Sequence, residues 1–115
     1  MQYDESAVAE LLGVPQKVFR NGRNEHVFTF EDATHVLLLW VFPDHSEVSV
    51  GLAPAQGGEQ ITHVKLRNVT RCEVAIDRDG ARMARVHSAD IPQAERGFVL
   101  EVRIHPRVQV TVTAA

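Results

Sequence analysis

Turn signals recur roughly every ten residues through this chain, and the segments between them alternate polar and apolar side chains. That cadence limits the fold more than any other feature. Connections this short cannot hold the crossover helix that parallel pairing requires, so neighbouring strands must run antiparallel. The expected fold class is all-β, mainly antiparallel, a sandwich or a meander barrel, with one short N-terminal helix.

Individual segments carry the pattern. Asn21-Gly22 sits between the apolar-rich stretches 16–20 and 25–30, and both turn residues tolerate the positive φ of a tight hairpin. Pro43-Asp44-His45-Ser46 turns the run 35–42 into residues 47–52, where Val48, Val50 and Leu52 point one way and Ser49 and Gly51 the other. Thr62, Val64 and Leu66 then alternate with His63, Lys65 and Arg67. Cys72, Val74 and Ile76 alternate with Glu73 and Ala75, and Asp79-Gly80 makes a second tight turn into residues 82–87. Residues 98–105 and 108–113 are the last two alternating segments, separated by Pro106, which cannot donate to a ladder. Stretches 53–60 and 88–96 have no period and read as loops. The count is about nine strands. Residues 4–12 form the exception, a helix with Asp4, Glu5 and Ser6 at its start, Val8, Leu11 and Leu12 on one face, and Gly13 and Pro15 as its stop.

His35-Val36-Leu37-Leu38-Leu39-Trp40-Val41-Phe42 is the one long unbroken apolar run. It suits a strand with both faces covered, and falls well short of the roughly 20 residues needed to span a bilayer. Trp40 and Leu38 are therefore expected in one core with Val64, Leu66, Leu100 and Val102. At 115 residues and 44% hydrophobic, the chain suits a single β-rich domain, residues 1–115, with a core that needs neither metal nor disulfide. Cys72 is the sole cysteine, and residues 1–5 carry no basic or apolar leader. Both features suit a cytoplasmic protein.

Charge is unevenly distributed. Residues 1–60 have a net charge of −6 and residues 61–115 of +3. If the apolar set of the late strands faces inward, then His63, Lys65, Arg67, Arg85, His87, Arg103 and His105 face out. These seven are the candidate partner-binding residues, expected together on one sheet face, and they suit an acidic protein partner. Nucleic acid fits less well, because the domain is not basic and no aromatics interleave with its cations.

Other chemistry finds little support. Asp77-Arg78-Asp79-Gly80 opens like a calcium loop, but no acid follows within it, and a hairpin turn accounts for the residues. The six histidines are too widely separated for ligand spacing, so no metal and no cofactor are expected. Cys72 sits in an alternating core pattern, and no nucleophile elbow or phosphate-binding glycine loop occurs. No catalytic residue can be named. The balance is against an enzyme without closing the question.

Phe30-Glu31-Asp32-Ala33, the apolar strand that follows it, and Ile61 to Thr70 together resemble small β-rich bacterial immunity proteins of polymorphic toxin systems. Their pattern begins with an F-H-D-A-like motif and continues with an alternating strand that closes on a G-V or N-V turn. Glu31 stands where the pattern has His, and Asn68-Val69 supplies the turn. The resemblance touches about a third of the chain. It implies a non-catalytic, cytoplasmic, protein-binding domain that neutralises a partner by covering its surface. The alternative is a small β-barrel or sandwich enzyme, or a ligand-binding protein, with its site in an internal cavity.

Overall fold

A computed structural model describes residues 1–57, 62–89 and 97–114. In chain order these form β1 (Gln2–Tyr3), α1 (Glu5–Leu12), β2 (Gln16–Arg20), β3 (Arg23–Glu31), β4 (His35–Phe42), a 3-10 turn (Pro43–His45) and β5 (Glu47–Pro54). There follow β6 (Thr62–Leu66), β7 (Val69–Ile76), β8 (Arg82–Ser88), β9 (Phe98–Arg103) and β10 (Gln109–Ala114). The strands make two five-stranded sheets, ordered β2-β3-β4-β5-β6 and β1-β7-β8-β9-β10. Each strand pairing among the described residues is antiparallel except that of β1 with β7.

Turn chemistry fixes the register. Asn21 and Gly22 both adopt positive φ, at 52° and 74°, the conformation a two-residue hairpin with matching strand twist requires. At the β7–β8 turn the Asp77 carboxylate accepts from the backbone N–H groups of Asp79 and Ala81, each at 2.9 Å, and its other oxygen accepts from Arg103. Both oxygens thus serve the hairpin and its neighbour. Asp4 caps α1 by accepting from the Ala7 N–H at 3.1 Å, and Gly13 ends it at φ 98°.

The core lies between the sheets. Phe28, Leu37, Leu39, Val41, Val48 and Val50 from one sheet meet Cys72, Ala84, Val86, Leu100 and Val102 from the other, with Val8 and Leu12 of α1 closing one side. The two sheets are also tied at their margins. Asp32 accepts from the Thr34 and His35 N–H groups at 2.8 and 2.7 Å, which caps the β3–β4 turn, and its second oxygen accepts from the Val108 N–H at 3.0 Å, just before β10. At the opposite margin the Tyr3 hydroxyl lies 2.9 Å from His26 Nδ1, and Lys17 Nζ lies 2.8 Å from Glu5 Oε1.

Several expectations need correction. β4 is not covered on both faces: Leu37, Leu39 and Val41 are each 0% exposed, whereas Val36, Leu38 and Trp40 between them are half-buried on the outer side. Trp40 and Leu38 therefore leave the core list, while Leu66, Leu100 and Val102 are buried and Val64 packs against the core. The cause is the pleat, which sends alternate residues of even an all-apolar strand to opposite faces. β1 was too short to read, β3 begins at Arg23, β5 extends to Pro54, β7 begins at Val69, and β9 ends at Arg103. Ile61 and most of the expected 88–96 loop lie outside the described residues, as does the end of the 53–60 loop.

Candidate functional site

The sandwich divides the seven candidate residues between two outer faces. Lys65 pairs across from Ser49 and His63 from Gly51, on the outer side of the β2–β6 sheet, and Arg67 follows at the end of β6. Arg85 pairs with Glu101, His87 with Val99 and Arg103 with Met83, on the outer side of the other sheet. His105 is exposed in the β9–β10 connection. It lines an open depression of about 860 Å3 with Asp77, Arg103, Pro106 and the β7–β8 turn. Alternation put each of these strand residues outside, but it could not tell which sheet each strand joined.

The two faces differ in how their charges are met. On the β7–β10 side each of the candidates Arg85, His87 and Arg103 has an acid at hand. Arg85 donates through Nε and Nη2 to Glu101 Oε2 at 3.2 and 2.9 Å. His87 Nε2 lies 3.2 Å from Glu73 Oε1, which Arg71 Nε also approaches at 3.5 Å. Arg103 donates to Asp77. That hydrogen bond is the main reason the Asp77 carboxyl is held below its ordinary value; the Ala81 and Asp79 amides add to it, while partial burial opposes. Glu73, Arg85 and Glu101 occupy directly paired positions across three strands.

On the β2–β6 side the ratio reverses. Glu47, only 8% exposed, receives Arg23 Nη2 at 2.7 Å, Lys65 Nζ at 3.5 Å and Arg67 Nε at 3.8 Å. Three cations thus converge on one carboxylate. Burial alone would raise the Glu47 carboxyl, but the Arg23 hydrogen bond and the charges of Arg23 and Lys65 outweigh it and hold the group below its ordinary value. The Arg23 guanidinium also stacks on Phe42, 4.1 Å from the ring centroid. Arg23 and Glu47 are the members that sequence reasoning missed. They lie 24 residues apart, and only strand register brings them together.

Beside this cluster lies an apolar surface. Cross-strand pairing lines Val27, Trp40, Ser49 and Lys65 in one row and Thr29, Leu38, Gly51 and His63 in the next. Ser49 and Gly51 are small, so the Trp40 ring reaches across β5 to meet His63 edge-on, with centroids 6.1 Å apart. The result is an apolar plate with cations along its Glu47 edge.

Reactive groups are otherwise quiet. The Cys72 thiol is buried, which together with neighbouring Glu73 pushes its pKa up to about 12 and leaves it protonated at neutral pH. No group of three or more potential metal ligands assembles among the described residues. None of the described helices is long and apolar enough to cross a membrane.

This outer face thus sets an apolar patch beside a cluster of arginine and lysine, carried on a two-sheet β-sandwich. The sequence matches no family model and no curated protein. Among solved structures, the fold matches a chain of the contact-dependent growth inhibition toxin–immunity protein complex from Klebsiella pneumoniae 342. The TM-score is 0.81 at 12% identity, covering 99% of this chain and 96% of that one. The shared fold agrees with the resemblance to immunity proteins carried by Phe30–Ala33 and the β6–β7 segment.

Proposed function

We propose that this chain is an immunity-type protein, a non-enzymatic cytoplasmic domain that neutralises a toxic partner by covering its surface. The observation that carries this reading is the fold shared, over 99% of the chain, with a member of a toxin–immunity protein complex. The immunity side of such a pair is favoured by the Phe30-Glu31-Asp32-Ala33 resemblance. It is also favoured by the chemistry of the chain: Cys72 is buried, and Asp32 and Asp77 are consumed by backbone and arginine contacts.

The partner is an acidic protein, and the candidate contacts are the cations named from the sequence. Lys65 and Arg67 keep charge available to such a partner, with His63 beside them on the same face. Arg85, His87 and Arg103 have acids of their own to satisfy first, and His105 lies apart from both sets. To test the reading, the protein encoded by the neighbouring gene is expressed alone and together with this chain. Growth arrest by that protein, relieved on co-expression, and a 1:1 complex on purification are expected. Growth arrest caused by this chain itself, or neither protection nor complex, would overturn it.

A further inference from the structure

We infer that the outer face of the β2–β6 sheet seats an acidic segment of the partner that also presents an apolar side chain, the apolar group on Trp40 and Leu38 and a carboxylate among Arg23, Lys65 and Arg67. This rests on the immunity-type reading and names the surface and partner chemistry within it.

Three independent features of the face converge. The first is shape. β5 contributes Ser49 and Gly51 to the outer side, directly between the large side chains of β4 and the long ones of β6. Trp40 reaches across that gap to meet His63 edge-on, and Leu38, Val27 and Val36 extend the plate, all four apolar residues half-buried. Tryptophan is among the residue types most enriched at binding hot spots, which become desolvated when the partner seats.

The second feature is charge. Arg20, Arg23, Lys65 and Arg67 carry four positive charges on or beside this face, and Glu25 and Glu47 return two. Glu25 and Arg20 pair at 3.5 Å and cancel, which leaves Arg23, Lys65 and Arg67 against Glu47. Asp44, at the end of β4, accepts from Asn24, and exposed Glu31 lies at the far end of the face beyond Val36. At the Glu47 end, adjoining Trp40, three cations thus stand against Glu47 and Asp44, a surplus of one positive charge.

Preorganisation is the third. Glu47 and Phe42 hold Arg23 in place in the free protein. An arriving carboxylate meets an arginine whose rotamer is already chosen, which lowers the ordering cost of binding. The opposite outer face has neither element: Arg71 and Arg85 balance Glu73 and Glu101 within the chain, and no aromatic residue stands among them.

The chain has a single tryptophan, so expression with 5-fluorotryptophan yields one 19F resonance, at the centre of the plate. This labelled protein is titrated with an inactivated form of the protein from the neighbouring gene, and complex formation is followed in parallel by sedimentation. The inference predicts that the resonance moves and saturates at the same ratio as the complex. Lys65→Glu with Arg67→Glu should weaken Kd by about 30-fold or more, while Arg71→Glu with Thr111→Glu on the other face changes it by less than about twofold. Unfolding midpoints of both double variants establish that each is folded. A complex that forms while the resonance stays still overturns the inference and leaves the immunity reading standing. Absence of any complex overturns both. A resonance that shifts with the concentration of this chain alone assigns the face to a second copy and also overturns the inference.

Discussion

The two outer faces of this sandwich carry the same kinds of residue and use them differently. On the β7–β10 face, Arg85, His87 and Arg103 each find a carboxylate within the chain, and the charges close on themselves. On the β2–β6 face, three cations share Glu47 beside an apolar plate whose residues Val27, Val36, Leu38 and Trp40 are only half-buried among the described residues. A closed ladder stabilises its own sheet and offers a partner little, since any new contact must first compete with an existing ion pair. A shared carboxylate holds its cations in position and leaves their charge unspent. The lesson is that an outward cation identifies a surface only after its neighbours are known.

The largest effect separates both faces from the core. Leu100→Ala should cost about 2–5 kcal/mol, as lost burial plus a cavity, whereas Leu38→Ala on the plate should cost about 1 kcal/mol. Denaturant midpoints measure both. Equal losses would mean that the plate is core after all.

Next, the two carboxylates can be neutralised in place. Glu47→Gln leaves Arg23, Lys65 and Arg67 facing one another around a nearly buried amide and should cost about 2–3 kcal/mol. Glu101→Gln on the closed ladder, where solvent still reaches both partners, should cost about 1 kcal/mol. A reversed order in thermal unfolding would break the contrast between the faces.

A smaller effect concerns acid. The Asp32 carboxyl is held far below its ordinary value, chiefly by the Val108 amide and then by those of Thr34 and His35. A depressed pKa contributes stability that is fully present above the ordinary aspartate range and is lost as pH falls through and below it. Between about pH 5 and about pH 2, the unfolding temperature of Asp32→Asn should therefore fall less than that of the parent. Parallel falls would mean that Asp32 does not clamp the sheets. Finally, the association rate with the partner should drop as salt rises, and Lys65→Glu with Arg67→Glu should flatten that slope. An unchanged slope would remove charge steering from the account.

Much of the fold was legible because it is written locally. Asn21-Gly22 and Asp79-Gly80 announce their hairpins through backbone chemistry, and alternation assigns Leu66, Leu100 and Val102 inward without reference to any other strand. Trp40 was misassigned for a physical reason. A strand that is apolar on both sides looks the same whether a second layer covers it or whether Ser49, Gly51 and His63 let its side chains cover one another. The site was less legible still. Alternation separates in from out but is blind to which sheet a strand joins, so Lys65 and Arg85 looked like neighbours. Arg23 and Glu47 meet only through register across three strands, and nothing in either local sequence marks the pair.

The central claim is that the β2–β6 face, and not the closed one, meets the partner. The chain has two lysines, and they sample different places: Lys65 stands on the rim of the plate, while Lys17 lies on β2 against Glu5. Amine acetylation of the free protein and of its complex with the partner, read residue by residue in a mass spectrometer, compares them within one molecule. The account predicts that complex formation slows acetylation of Lys65 by about tenfold or more while Lys17 reacts at its free rate, since a contacted lysine loses its solvent and its rotamers. Acetylation of Lys65 at an unchanged rate in a saturated complex would contradict it.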